Sequence, residues 1–184
     1  MGYFNPNLDT LNFKLYKTHE LLKPYIHSYW AIQTEGFSEA MTCKVLSDAS
    51  MGFVINFASP YSSTVNNHTF TCNDKFRIDG LTKYPSYLRF EKELDLIGVR
   101  FKTAGAYVFF DETMDSFLDT NILFRNSKTW RLDELYDKLL QKNTTQKKIQ
   151  LIEEFLINKL NASKKKNAQW MLHFIEKYFV KKTY

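Results

Sequence analysis

Arg100 is the residue of this chain whose type and setting most suggest a binding site. It lies inside an apolar run, residues 94–101, that alternates as a β-strand does. A guanidinium buried in such a strand needs a carboxylate or an anionic ligand to offset its desolvation. Two interpretations follow. Arg100 either forms a structural ion pair, for which Asp48 is a candidate partner, or contacts the carboxylate or phosphate of a ligand.

Aromatic residues and one histidine supply the other candidates for a ligand site. Residues 25–33 alternate as a strand, which places His27 and Trp30 on opposite faces. Trp30 and Phe57 belong to apolar-facing sets, and we predict that both approach one cavity with Arg100, between the β-region and the helices. His27 either hydrogen-bonds on its strand face or takes part in binding. Filling a core is the commoner task of aromatic side chains, so core packing is the alternative for the aromatic pair.

The sequence lacks the motifs of the common enzymes and metal sites. Its four histidines have neither HxH nor HxxxH spacing, and GxSxG, GxxxxGK[ST] and GxGxxG are all absent. Ser163 and Lys166 have the spacing of a serine–lysine nucleophile pair, but they lie in a lysine-rich segment. We therefore expect no catalytic residue, no metal and no cofactor.

Short strands separated by turn signals dominate the first half of the chain. Strands are predicted at 25–33, 41–46, 52–58, 69–72, 76–81, 87–91 and 94–101. Residues 59–67 are polar, contain a proline and are predicted to be a loop. Such a series is typical of a β-sandwich or barrel rather than of a parallel sheet with crossover helices.

Helical spacing replaces the alternation after Phe101. Thr103 is a candidate N-cap for a short helix, and Thr144 or Thr145 can cap a longer one. Helices are predicted at 104–110, 115–123, 132–141, 145–160 and 168–180. The predicted fold class is α+β, with an N-terminal antiparallel β-barrel or sandwich followed by a helical C-terminal half.

Composition indicates an ordinary globular protein with a basic end. The chain is 44% apolar, which is too rich for disorder, and no apolar run reaches the roughly 18 residues that span a bilayer. The N-terminus lacks a signal-peptide pattern, and two cysteines without CxxC spacing favour a reducing cytoplasm. Residues 140–184 carry a net charge of +7 and the remainder −2. This asymmetry fits either a nearby nucleic acid or solvated helix faces with a lysine-rich linker.

Five segments, in order, resemble the N-terminal sensor domain of AraC-type transcription regulators. They are LLKPYIHSYW (21–30), VLSDASMGFVINF (45–57), LIGVRFKTAGAYVFF (96–110), WRLDELYDKLL (130–140) and KKIQLIEEFLINKL (147–160). The chain departs from that pattern at Ser47 and Thr103, where proline is usual, and at Ala49 and Gly52, where Gly and Asp are usual.

The resemblance implies a cupin-like, effector-binding β-barrel over 1–102 and a helical dimerisation region over 103–160. It also implies that 161–184 is a linker and the start of a helix-turn-helix domain absent from this chain. We expect a cytoplasmic homodimer without membrane contact that binds an unknown small-molecule effector and reaches DNA only through that absent domain. The expected ligand-binding residues are Trp30, Phe57, Arg100, His27 and Asp48. The alternatives are a free-standing cupin-like binding protein or enzyme, and an adaptor whose last helix docks on another protein.

Overall fold

Two antiparallel sheets and two α-helices make up the fold in a computed structural model, which describes residues 11–36, 38–46, 50–110, 117, 121–123 and 130–165. In chain order the strands are β1 (Lys14–Tyr16), β2 (Ile26–Thr34), β3 (Met41–Val45), β4 (Gly52–Asn56), β5 (Tyr61–Val65), β6 (His68–Cys72), β7 (Phe76–Asp79), β8 (Ser86–Phe90), β9 (Leu94–Phe101) and β10 (Asn121–Leu123). The helices are α1 (Leu132–Leu140) and α2 (Thr145–Ala162), with 3₁₀ turns at Glu20–Leu22 and Gly105–Val108. The α+β class is confirmed.

The strands divide into a six-stranded sheet, in the order β1-β2-β9-β4-β7-β10, and a four-stranded sheet, in the order β3-β8-β5-β6. The two sheets are not closed into a barrel. No helix among the described residues is long and apolar enough to cross a bilayer.

The six-stranded sheet is covered on both faces. Ile97 and Val99 of β9 belong to a core shared with both helices, whereas Leu96 belongs to a second core shared with the smaller sheet. Because successive strand residues point to opposite faces, burial on both sides explains the nearly unbroken apolar run of β9. The molecule therefore stacks as helices, six-stranded sheet and four-stranded sheet.

Helix α2 forms where its spacing predicts, and it packs inside the molecule. The Thr144 hydroxyl accepts a hydrogen bond from the Lys147 N–H, so the predicted cap is confirmed. The apolar face of α2 is buried against the sheet and α1 through Ile149, Ile152, Leu156 and Leu160. Lys148 adds an ion pair to Asp95 at 2.9 Å, between α2 and β9. The apolar face of α2 is therefore buried in the core of the same chain.

The prediction of a loop at 59–67 is wrong, because this segment contains strand β5. A two-residue turn, Asn66-Asn67, joins β5 to β6, and both asparagines have positive φ, 46° and 63°. Two such residues in a two-residue hairpin loop match the twist of antiparallel strands, and asparagine tolerates this conformation well. The asparagine pair was the available signal for a hairpin here.

The segment after β9 also differs from expectation. Thr103 is not a cap: Ala104, with φ of 61°, precedes the 3₁₀ turn, and no side chain caps it. Gly105 lies against the backbone of Tyr25 so closely that a Cβ would come within 2.0 Å of its carbonyl oxygen.

Other expectations for this half of the chain fare differently. Residues 121–123 form β10 rather than the end of a helix, so the sheet includes residues beyond the boundary predicted at 102. The helix predicted at 132–141 is confirmed as α1. The helix predicted at 168–180 lies outside the described residues.

Candidate ligand-binding cavity

A cavity of about 770 Å³ lies between the two sheets. Its walls come from both sheets and are largely apolar, and its volume is in the range of small-molecule sites. Phe70 and Leu88 of the smaller sheet face Trp30 and Ile32 of the larger one across it. The cavity is therefore formed by the two sheets and lies on the face of the six-stranded sheet that points away from the helices.

Two rows of residues cross the six-stranded sheet at the cavity. In the first row Trp30 lies opposite Gly98, Gly98 opposite Val54, and Val54 opposite Arg77. Directly paired residues of neighbouring strands share a face, so this row forms part of the cavity floor.

The second row lies two residues further along β9 and therefore on the same face. Gly52 is paired with Arg100 on one side and with Asp79 on the other. The first row thus ends in Arg77, and the second row has a charged residue at each end, Arg100 and Asp79.

Trp30 lies flat on the floor because Gly98 has no side chain. A Cβ added at Gly98 would come within 1.9 Å of the Trp30 ring. The ring of Phe13 stacks beside it, with centroids 6.2 Å apart and planes 25° from parallel. Among the described residues the indole N–H of Trp30 has no hydrogen-bond partner, and it is not among the buried polar atoms. The indole is an aromatic platform with an available donor.

Arg77 is the most deeply buried charge of the cavity wall, at 6% exposure. Its guanidinium pairs with Asp79 at 2.6 Å, donates to the thiol of Cys72 and lies 5.2 Å from the centre of the Tyr61 ring. Burial lowers the pKa of Arg77, but Asp79, Tyr61 and Cys72 outweigh it, so the pKa is raised and the charge is retained. Its Nε is buried without a partner among the described residues.

Sequence reasoning missed the Arg77 cluster. In FRID (76–79), Arg77 and Asp79 alternate with apolar residues and so share one strand face. That alternation was the signal, although nothing local could show that the face is a buried cavity wall.

Arg100 lies at one end of the second row of the floor. It is half-buried, lines the cavity, and donates from Nε to the hydroxyl of Ser50 at 3.2 Å. Its candidate partner, Asp48, lies outside the described residues. The structure thus brings Trp30 and Arg100 together as predicted, but in a cavity between the two sheets, so the predicted location between the β-region and the helices is wrong.

Phe57 lies on the other side of the sheet. Its ring stacks on Tyr136 of α1 at 5.4 Å, and the Lys148 ammonium lies 3.7 Å from the ring centre. Val54, not Phe57, shares the face of Trp30, and Phe57 is an odd number of residues from Val54. The prediction that Phe57 approaches this cavity is therefore wrong.

His27 has an exposed side chain and does not line the cavity. Its Nδ1 lies 3.0 Å from the hydroxyl of Ser28. The partial burial of the ring lowers the pKa of His27, and the positive charge of Arg100 lowers it further. A role for His27 in binding stays a prediction.

The thiols and acids of the described part do not assemble into a metal site. Within it, no group of three or more His, Cys, Asp or Glu side chains could hold a metal ion. Cys43 and Cys72 are both buried and free. Burial raises the pKa of the Cys72 thiol, which disfavours the reactive thiolate.

Comparison with known proteins identifies a family but no activity. A model described as a domain of unknown function, DUF6597, matches residues 14–123, which run from the first residue of β1 to the last of β10 and so include most of the cavity wall. Curated proteins yield no match. The crystal structure of protein NMB1881 from Neisseria meningitidis is similar with a TM-score of 0.35 and 7% identity, over 54% of this chain and 99% of that one.

Proposed function

We propose that this chain, which belongs to DUF6597, a family of domains of unknown function, is the effector-sensing and dimerising part of an AraC-type transcription regulator. The observation that carries the proposal is the cavity between the two sheets, about 770 Å³ in volume and lined by aromatic, apolar and arginine side chains. Cavities of this volume with mostly apolar walls are typical of small-molecule sites. The choice of regulator family is supported by the five sequence segments that resemble AraC-type sensor domains.

We further propose that the two facing sheets are an opened form of the cupin-like barrel that the resemblance implies. A small core between them supports this: Tyr61 and Phe90 of the smaller sheet contact each other at 5.3 Å and pack with Leu94 and Leu96 of β9. The sheets are thus held together beside the cavity, as a ligand-binding barrel requires.

Contacts between the end of α2 and the segment after β9 support a signalling role. The Ser163 hydroxyl donates to the Val108 carbonyl at 2.6 Å, and the Lys165 ammonium donates to the Phe110 carbonyl at 2.7 Å. Strand β9, which carries Arg100, leads directly into that segment. A ligand that favours one arrangement of β9 would therefore shift the direction in which the chain leaves α2, by no more than its differential affinity for the two arrangements.

Dimerisation is proposed from the resemblance alone. The packed face of α2 is unavailable because it fills the core, so the interface must use other surfaces of the helical half. We expect a homodimer that buries at least roughly 1,200 Å² in total, the lower bound for a specific interface.

The proposal can be tested by fusing residues 1–184 to a DNA-binding domain that represses a reporter only as a dimer. We expect repression by the fusion, and a change in repression when a metabolite extract or a defined compound library is supplied. A fusion that is expressed and folded but neither represses nor responds would overturn the proposed function. Light scattering of the purified chain gives the oligomeric state independently.

A further inference from the structure

We propose that the cavity takes an uncharged, largely apolar carbonyl compound, which accepts hydrogen bonds from the indole N–H of Trp30 and from the hydroxyl of Ser63. This inference rests on the proposed function and names the chemical class of its effector. It follows from these two polar groups, one on each wall of the cavity, which have no partner in the part of the chain that the structure describes.

Ser63 lies in the wall opposite Trp30, inside a row of the four-stranded sheet. It is paired with Leu88 of β8 on one side and with Phe70 of β6 on the other, and all three line the cavity. Directly paired residues share a face of the sheet. Ser63 is only 2% exposed, so this face is the inner one. The hydroxyl therefore lies between two apolar side chains, on the face that is directed into the cavity.

The Ser63 hydroxyl has no hydrogen-bond partner among the described residues. Its oxygen is not one of the fully enclosed polar atoms of that part of the chain, so the cavity reaches it. Most buried side-chain polar groups are hydrogen-bonded, because leaving one unpaired costs free energy. A hydroxyl in this position therefore indicates a polar atom on the molecule that fills the cavity.

Trp30 supplies a second donor, on the floor. The indole atoms nearest to Gly98 are Cε2, Cζ2 and Nε1, so the N–H edge of the ring lies over β9. An indole N–H can only donate, so a ligand that meets it must carry an acceptor. Stacked sheets lie about 10 Å apart, so one small molecule can contact both walls.

The charged side chains of the floor are already engaged within the protein. Arg77 is paired with Asp79, and its one unpartnered nitrogen, Nε, is fully enclosed. Arg100 donates to the Ser50 hydroxyl and takes part in a further interaction, so it is not free. An ionised ligand would lose its hydration without gaining a counterion of its own, which is costly. An uncharged carbonyl group, which has two lone pairs and no proton, suits two uncharged donors between apolar walls.

The test is a fluorescence titration of the whole chain with prodan, an uncharged naphthyl ketone whose emission shifts to shorter wavelength in apolar surroundings. We expect a saturable shift. Methyl benzoate should displace prodan at a concentration at least tenfold lower than benzoate, which is charged. It should also act at a concentration about fivefold lower than propylbenzene, which lacks the carbonyl, because one net hydrogen bond is lost.

Two conservative variants separate the two donors. Trp30→Phe keeps an aromatic ring but removes the N–H, and Ser63→Ala removes only the hydroxyl. Each should weaken prodan binding about fivefold, the effect of one net hydrogen bond. Ser62→Ala is the matched control and should leave prodan binding unchanged, because Ser62 is the neighbouring residue of β5 and does not line the cavity.

The stability of the free protein distinguishes a ligand contact of Ser63 from a structural role. Since the hydroxyl has no partner in the described chain, Ser63→Ala should leave the midpoint of thermal unfolding unchanged or raise it. A lowered midpoint would overturn the inference, as would undiminished prodan affinity in Trp30→Phe or Ser63→Ala. Displacement by benzoate as effective as that by methyl benzoate, or the absence of any emission shift, would overturn it too. The proposed function then depends on the reporter fusion alone, which uses none of these compounds.

Discussion

Arg77 is the most deeply buried charge among the described residues of the cavity wall. Its guanidinium holds Asp79, the Cys72 thiol and the face of Tyr61 at once, and so ties β5, β6 and β7 together across both sheets. Removing one member of a buried charged network costs more than its contacts suggest, because the remaining groups lose their compensation.

The Arg77 network yields a stability prediction with a matched control. Arg77→Gln should lower the free energy of unfolding by about 2–3 kcal/mol, since it leaves Asp79 and Cys72 without their donor. Arg89→Gln removes an exposed ion pair and should cost less than about 1 kcal/mol. Urea denaturation measures both. Similar losses of unfolding free energy in the two variants would show that the buried network stabilises the protein no more than an exposed ion pair does.

His27 gives a prediction about pH. The pKa of His27 is lowered in the folded state, so the unfolded chain binds the proton more readily. The His27 contribution to the free energy of unfolding should therefore be fully present above the unfolded pKa of about 6.5 and be lost as the pH falls below it. Because Arg100 contributes to the shift, the pKa of His27 measured by NMR should rise in Arg100→Gln. An unchanged pKa in that variant would contradict the proximity of the two side chains.

At the scale of elements, β9 and α2 hold the molecule together. β9 is paired on both sides, with β2 and β4, and presents one face to the helices and the other to the cavity. α2 closes the helical side, tied to β9 by Lys148 and to the 3₁₀ turn at 20–22 by Glu153, whose carboxylate accepts from the His19 N–H at 2.7 Å. A loss of α2 would therefore expose the face of the sheet that carries the main core.

The N-terminus of α2 can be tested by its two neighbouring threonines. Thr144→Ala removes the cap and should destabilise the protein by about 1 kcal/mol. Thr145→Ala changes the first helical residue, which makes no cap bond, and should be nearly neutral or slightly stabilising since alanine has the higher helix propensity. Thermal unfolding of both variants would show the difference; equal losses would argue against the cap.

At the scale of the whole molecule, the two sheets and two helices of the described chain pack as one unit. One core runs from the six-stranded sheet into α1, α2 and the segment after β9. The lysines that follow α2 are partly used within the fold, since Lys165 contacts the Phe110 carbonyl and the ring of Tyr107. The basic end is therefore not wholly available to phosphates.

This arrangement predicts how residues 1–184 behave with DNA. Sequence selectivity needs an element in a groove with side chains at base edges, and Lys164, Lys165, Lys166, Lys181 and Lys182 supply charge only. We expect weak binding, equal for a candidate operator and a scrambled duplex, that fades as salt rises. Fluorescence anisotropy at two salt concentrations measures it. Tight, selective binding would show that the chain reads DNA by itself.

The sequence by itself determined most of the local elements, although not β1, β5 or β10. Alternation located β2, β3, β4 and β6 to β9, helical spacing located α1 and α2, and Thr144 marked the start of the longer helix. These signals are local, because strand and helix periods are properties of a few consecutive residues.

Only the tertiary structure decided which of these residues meet. Alternation assigns Trp30 and Phe57 each to a face of its own strand, but it cannot say which faces of two distant strands coincide. The pairing of β2 with β9 and of β9 with β4 settles that: it puts Trp30, Val54 and Arg77 in the cavity and turns Phe57 toward the helices. Because a one-residue change of register exchanges the faces of a strand, no local pattern could have made that choice.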